Sequence, residues 1–436
     1  MEAAEGSTER QITKGVTCPF CGVTCDDLEV HHENGRIKEV KNACVLGRDT
    51  FLHHLEGLAS PRLHGQPATL DACIDAAVDI LDRAKYPLIY GLDSTELYAQ
   101  RRSIELADLI GANIDHTSSV CHAPSLQALQ TVGLPTCTVG EVKNRADLVI
   151  FWGCNPAEAH PRHATRYSVT ARGLFTPQGK KDRTIVHVDV RKTPSTRMAD
   201  AFIQVRPHSD YEIFSVLTAL AKGHELDVAE VGGVPMDEWR RLLELMKDAD
   251  FGIIYWGMGL TMTRGKYLNL VALLRLCQQM NEHTKFLGAP MRGHGNVVGM
   301  AQVLTWQTGY PFAVNLSRGY PRFNPGEFSV ADLLARREID AALIIGADAI
   351  GNFPGAAAEH LRSIPVIAID PKESDTTKVA DVVIPVAQAA VAASGVAYRM
   401  DHIPLPMKKV VDSPYPPDRD VLDRIIAGIT ARRGTR

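Results

Sequence analysis

Four cysteines near the N-terminus are spaced to hold metal. Cys18-Pro-Phe-Cys21-Gly-Val-Thr-Cys25 packs three thiols into one short run, and Cys44 follows as a separate fourth. Four thiolates suit either zinc or a [4Fe–4S] cube. Structural zinc usually takes paired two-residue knuckles, whereas three crowded ligands and one isolated ligand favour the cube. Of the nine cysteines, Cys73 and Cys277 fall in apolar helical patterns and read as buried thiols. Cys121 reads differently. Val120-Cys121-His122-Ala123-Pro124-Ser125 suggests a turn entering a helix, where a thiolate is stabilised and can bind a soft metal. The alternative there is a free thiol beside a packed histidine.

Other polar stretches are less specific. His160-Pro161-Arg162-His163 has the spacing of a metal pair, but the intervening proline argues against helical presentation. It reads as a ligand-facing loop, with Arg162 available for phosphate. Met291-Arg292-Gly293-His294-Gly295-Asn296 is a glycine-rich loop whose arginine could hold a small anion, or an ordinary basic loop.

The elements that must position these groups follow from patterning. Leu28–Val40, broken at Asn34-Gly35, reads as a hairpin that returns Cys44 to the first three cysteines. Beyond residue 65, short apolar strands alternate with amphipathic helices. The strand candidates are Leu88–Tyr90, Leu148–Trp152, Ile185–Val188, Gly252–Tyr255, Ala341–Ile345 and Val366–Ile369. That alternation predicts a doubly wound α/β architecture with largely parallel sheets.

An internal repeat lies within it. The segment from Asp189 to Asp200 can be laid over that from Asp370 to Asp381 without a gap. Each copy follows an apolar strand, and each is preceded by a strand ending in glycine, at Gly153-Cys154-Asn155-Pro156 and at Gly346-Ala347-Asp348. Glycine at a strand end lets phosphate approach the backbone, and an acid after the next strand can accept from a ribose or a base edge. Two copies imply two nucleotides, or one ligand and one vestige.

Composition sets the frame. The chain has 436 residues, 45% of them apolar and 22% charged, with a net charge of −4. This is an ordinary soluble balance that gives no reason to expect nucleic acid. No apolar run approaches membrane-spanning length, and the polar N-terminus lacks the core of a secretion signal, so a cytoplasmic location is expected. Residues 1–14 read as a short mobile tail.

The cysteine run, the Cys-His turn and the two nucleotide-type halves together resemble the molybdenum- or tungsten-bis(pterin guanine dinucleotide) oxidoreductases. They are most similar to the family of formylmethanofuran dehydrogenase B subunits. The resemblance runs from Val16 to about Ile426. It is most specific at Cys18–Asp27, Val120–Ser125, Gly140–Asp147, Trp152–His163, Met291–Asn296 and Ala397–Met400.

The resemblance implies a small [4Fe–4S] domain over 15–60. It also implies two α/β domains, 61–116 plus 295–436, and 117–294. Cys18, Cys21, Cys25 and Cys44 would hold the cluster. Cys121 would bind tungsten or molybdenum, alongside two pterin guanine dinucleotides and a terminal sulfido ligand, with His122 as proton shuttle and Arg292 holding formate. Gly153, Cys154, Asn155, Pro156, His160, Asp189, Arg191 and Gly257 would contact one dinucleotide arm, and Gly346, Asp348 and Asp370 the other. The implied reaction is reversible reduction of CO2 to formate, which passes to a separate amidohydrolase subunit. A small pterin-covering subunit would replace the C-terminal β-barrel-like domain of single-chain relatives, which this chain is expected to lack. Ferredoxin-like subunits would supply electrons. Two departures stand out: Ala123 where glycine is expected, and Ala392-Ala393-Ser394-Gly395 without an expected glutamate. The competing readings are a cofactor-free scaffold of a formyltransferase/hydrolase complex and a stand-alone formate dehydrogenase-like enzyme.

Overall fold

The computed structural model describes residues 10–434. The chain opens with a three-stranded antiparallel sheet, β1 (Gln11–Val16), β2 (Leu28–Glu33) and β3 (Arg36–Lys41). Asn34 (φ 49°) and Gly35 (φ 73°) form the tight turn between β2 and β3. Paired positive φ values are what a two-residue hairpin with right-handed strand twist demands. The tail expected over residues 1–14 needs correction from Gln11 onward, because β1 pairs with β2 from Gln11↔His32 to Val16↔Leu28. Most β1 side chains face solvent, so the strand is held by backbone pairing and shows no apolar alternation. Residues 1–9 of that tail lie outside the described residues. Helix α1 (Val45–Leu52) begins directly after Cys44.

Helix α2 (Leu70–Arg83) is capped by the Thr69 hydroxyl, which accepts from Ala72 N–H. It is followed by β4 (Leu88–Gly91), α3 (Leu97–Ile110) and β5 (Asn113–His116). A single 3-10 turn, Thr117–Val120, then delivers Cys121. The elements up to Ser119 belong to the first of two compact units, which also takes in His294–Arg399 and Pro404–Arg436.

The second unit spans Val120–Gly293 and Met400–Ile403. It contains α4 (Ala123–Val132), β6 (Leu148–Trp152), β7 (Thr184–Asp189), β8 (Ala201–Gln204), α5 (Asp210–Ala221), β9 (Phe251–Trp256), α6 (Tyr267–Met280) and β10 (Lys285–Pro290). Its sheet is wholly parallel, in the order β8-β7-β6-β9-β10. The central strands β6 and β9 are buried on both faces, which is why they read as continuous apolar runs. Helix α6 packs Leu270, Leu273, Leu274 and Cys277 into the core at helical spacing. Trp152 stacks near Phe214 and Trp239 in the same core.

The first unit resumes with α7 (Val297–Thr308), β11 (Ala342–Ile345), β12 (Val366–Ile369), β13 (Val382–Ile384) and α8 (Asp418–Gly434). The strands β5-β4-β11-β12-β13 form the parallel centre of a nine-stranded sheet, extended at each edge by short antiparallel pairs. Its core includes Ile89, Leu106, Leu343, Ile367 and Val421, all fully buried. Each such side chain contributes roughly 1.5–3 kcal/mol of transfer free energy.

Strand order reverses between β4 and β11 in one sheet and between β6 and β9 in the other. In open α/β sheets such reversals open a crevice at the strands' C-terminal ends. Among the described residues no helix is long and apolar enough to cross a membrane.

The two repeats fold alike to the level of single hydrogen bonds. Gly153 N–H donates to Val188 O, and Gly346 N–H to Ile369 O, each at 2.9 Å. The Asp200 carboxylate accepts from Ile185 N–H, and Asp381 accepts from Val366 N–H.

Candidate functional site

The cysteine run folds back on itself: Cys18 N–H donates to Cys25 O and Thr24 N–H to Cys21 O. Thr24 takes a left-handed φ of 43° to make that turn. Cys18, Cys21 and Cys25 are buried and Cys44 is partly exposed. Cys44 caps α1, its sulfur accepting from Gly47 N–H at 3.4 Å. The N–H of Phe20 points at the Cys18 sulfur, and those of Val23 and Thr24 at the Cys21 sulfur. A Cβ on Gly47 would lie 3.0 Å from the Cys18 sulfur and 3.7 Å from that of Cys44, so two ligands from distant parts of the run meet over one glycine. On the other side, Cys21 pairs in a β-bridge with His294, and a Cβ on Gly295 would strike Pro19 O at 2.0 Å.

Burial, then repulsion from the neighbouring cysteines, pushes the Cys18 thiol well up and the Cys21 thiol to about 12. Such thiols ionise only beside strong positive charge, which cluster iron supplies. A cube places its ligand sulfurs on separate iron atoms and asks for wider spacing than one ion does. The four thiols, with their N–H donors, fit that group.

In the second unit, Cys121 stands half-exposed at the entry to α4, with Pro124 in the helix's first turn. Thr261 fixes its backbone by donating to Cys121 O at 2.7 Å. His122 is buried and both ring nitrogens are engaged. Nε2 lies 3.1 Å from Met291 O, which assigns the proton to Nε2, and Nδ1 then accepts from Ser125 Oγ at 3.3 Å. Ser125 in turn accepts from Trp256 Nε1 at 2.9 Å. Burial, followed by repulsion from Arg292, lowers the His122 pKa to about 3. Both ring nitrogens of His122 are thus occupied by protein groups.

Arg292 is 1% exposed, and its backbone carbonyl accepts from His160 Nε2 at 2.8 Å. His160 is therefore a buried support for the arginine loop and not the open, ligand-facing group expected. His163 is likewise buried, its Nδ1 bonded to Ser168 Oγ. Burial lowers the pKa of His160, and burial plus Arg292 lowers that of His402 to about 4. A guanidinium is a group suited to a carboxylate ligand.

At the β6/β9 reversal lies a cavity of 250 Å³, lined by Trp152, Gly153, Asp189, His208, Asp210 and Leu260 among others. Gly153 has φ 56°, and a Cβ there would strike Leu260 and Gly259. A Cβ on Gly257 would strike Cys154. These glycines let two loops close tightly at the cavity floor. Asp189 Oδ1 is fixed by Val190 N–H, and Asp210 accepts from Trp152 Nε1. An acid beside an aromatic wall fits the ribose or base of a nucleotide. Cys154 is turned away, its thiol on Tyr255 O. Arg191 is exposed.

Asn155 and Asp348 do different work from that expected. Ser195 donates to Asn155 Oδ1 at 2.6 Å and accepts from Ala157 N–H. In the other copy Thr376 donates to Asp348 Oδ1 at 2.8 Å and accepts from Ile350 N–H. Both side chains thus clip their own loops, because a short polar side chain at a helix entry satisfies the nearest donors first. Asp370 is partly exposed, accepts from Lys372 N–H at 2.9 Å, and is raised to about 6 by desolvation and then by Asp348. The clips are not evident from sequence pattern alone, although a hydroxyl at the same place in both repeats is a visible signal. Pro156 starts a short helix whose turn the Ser195 clip holds.

The sequence profile of the molybdopterin oxidoreductase family matches residues 89–417. The chain is 47% identical to the B subunit of the tungsten-containing formylmethanofuran dehydrogenase 2 of Methanocaldococcus jannaschii, over 95% of this chain and 98% of that one. It is 43% identical to the protein of the same description from Methanococcus maripaludis, over 93% and 95%. In fold it is similar to a chain of the formyltransferase/hydrolase complex of Methylorubrum extorquens, with a TM-score of 0.70 at 24% identity, covering 86% of this chain and all of that one. The chain belongs to the molybdopterin oxidoreductase family, among the formylmethanofuran dehydrogenase B subunits, and is an oxidoreductase.

Proposed function

We propose that this chain is the catalytic subunit of a formylmethanofuran dehydrogenase and reversibly converts CO2, two electrons and a proton to formate. The observation that carries the reading is Cys121, held at the mouth of α4 by Thr261 and followed by the buried His122. Cys121 would hold tungsten or molybdenum together with pterin dithiolene sulfurs and a terminal sulfido ligand. When bound, that group supplies the two-electron chemistry.

The protein's share is position and charge. Arg292 would bind the carboxylate of formate through its planar guanidinium. His160 fixes the arginine's backbone. The Asp189 cavity would take the nucleoside end of one pterin dinucleotide, and the Gly346 loop with Asp370 would take the other. Cys18, Cys21, Cys25 and Cys44 would hold a [4Fe–4S] relay fed by ferredoxin-like subunits. Formate would leave for an amidohydrolase subunit, and a small subunit would cover the pterins in a cytoplasmic complex.

Replacing Cys121 by alanine in the native complex tests this reading. Formate oxidation and CO2 reduction should be abolished, while the cluster's iron content and electron paramagnetic resonance signal remain. Surviving activity would show the ligand assignment to be wrong. A native complex with neither tungsten nor molybdenum would instead support the scaffold reading. Formate turnover by the isolated chain would favour a stand-alone formate dehydrogenase.

A further inference from the structure

The chain leaves the first unit after Ser119, two residues before Cys121, and re-enters it at His294, two residues after Arg292. Both crossings are fastened, inside the first unit, to one knot of fully buried acids. Asp93 Oδ1 pairs with His116 Nδ1 at 2.9 Å, and its Oδ2 accepts from the Thr117 hydroxyl. Asp93 O accepts from Asn296 N–H at 2.9 Å. Asp115 Oδ2 accepts from the Ser119 hydroxyl at 2.6 Å and from Val330 N–H, while its Oδ1 accepts from Ala313 N–H and His116 N–H. His116 completes the knot through Nε2 on Pro311 O at 3.0 Å. Both His116 ring nitrogens face acceptors, Asp93 Oδ1 and Pro311 O, and against the effect of burial Asp93 and then Asp115 raise its pKa. Leu92, immediately before Asp93, is held at φ 73°, a strained backbone for a branched residue.

None of these side chains is needed to close the parallel sheet, whose hydrogen bonds are made by the backbone. Asp115 also satisfies the backbone N–H groups of Ala313 and Val330, but the bonds to Thr117 and Ser119 reach the turn before Cys121. What these side-chain bonds hold is the 3-10 turn ending one residue before Cys121, gripped at Thr117 and at Ser119.

We infer that Asp93 and Asp115 are positioning residues: through Thr117 and Ser119 they set the orientation of the Cys121 thiolate toward the metal. The inference rests on the assignment of Cys121 as metal ligand made above. It predicts a change in how Cys121 meets the metal, not in whether metal is bound.

The test compares Thr117→Val, which keeps shape but removes the donor to Asp93, with Thr117→Ser, which keeps the donor. Both are measured in the purified native complex, with Asp93→Asn as a third variant. Metal content, formate turnover, and the hyperfine coupling of the Cys121 β-protons in the one-electron-reduced metal signal are recorded. Thr117→Val should lower kcat by about ten- to a hundred-fold, the usual effect of a misplacement near 1 Å. It should shift the β-proton coupling and leave metal content unchanged, and Thr117→Ser should restore both. Wild-type kcat and coupling in Thr117→Val and Asp93→Asn overturn the inference. So does loss of metal with an unchanged coupling in the loaded fraction, since the role is then purely structural. A wild-type complex without tungsten or molybdenum overturns this inference together with the reading it rests on, whereas silent variants in an active wild type overturn this one alone.

Discussion

At the scale of single residues, the chemistry of a site is set less by residue type than by what occupies each polar atom. Cys121, His122 and Arg292 stand out in the sequence because their types are suggestive, yet the state of His122 is decided by Ser125, Met291 and Trp256. Ser125 lies three residues on in the same motif, but Met291 and Trp256 are distant in the chain, and burial cannot be seen from spacing. Burial, then the Arg292 charge, lowers the His122 pKa to about 3 and so disfavours the charged ring. The folded state thus binds fewer protons than an unfolded histidine between pH 3 and its ordinary value, so protonation opposes the fold only at acid pH. A proton-shuttling histidine would place an inflection in kcat near pH 6–7. Here His122→Gln should lower kcat about tenfold through a loosened Cys121 turn, while leaving every inflection between pH 5 and 8 where it is in the wild type. Disappearance of an inflection in the variant would show that His122 does exchange its proton during turnover.

At the scale of elements, the sequence was most legible where strands are apolar on both faces, as in β6, β9, β11 and β12. It was least legible where a strand is held by its backbone alone or by unusual residues. β1 is exposed and polar, β5 reads Asn-Ile-Asp-His although all four residues are buried, and β10 contains the breakers Gly288 and Pro290. Helix α1 offers a test of the cysteine site at this scale. Inside a helix alanine is favoured over glycine by about 1 kcal/mol, so Gly47→Ala should stabilise α1 by itself. A methyl there meets the Cys18 sulfur at 3.0 Å, tighter than ordinary contact, with the Cys44 sulfur on its other side. The expected result is a complex with less than half the cluster iron of the wild type, or a broadened cluster signal, with overall helicity by circular dichroism retained. Full iron content with an unaltered signal would mean that Cys18 and Cys44 do not share a ligand over this glycine.

At the scale of the whole molecule, the order of elements was visible in the sequence but their assembly into units was not. Met400–Ile403 joins the second unit between two segments of the first, and the hydrogen bond from Val139 N–H to Asp401 links residues far apart in the chain. Periodicity carries no information of that range. The same holds for Asp418 at the start of α8 and Glu96 at the cap of α3, two buried carboxylates brought together by the fold. Burial first, then the Glu96 charge, raises Asp418 from 3.8 to about 7, and burial also raises Glu96. Between those two values the native chain holds a proton that the unfolded chain has released. Stability from this group is therefore full below pH 4, declines as pH rises, and is gone above pH 7. Asp418→Asn keeps the acceptor that Arg419 N–H uses and removes the ionisation. The variant should melt about 2–4 °C above the wild type at pH 8, the response to roughly 1 kcal/mol in a domain of this size, and close to it at pH 5. Equal melting temperatures at both pH values would mean that the Asp418–Glu96 pair is already relieved by water or by Arg419, and that the first unit carries no buried carboxylate charge at its α3–α8 seam.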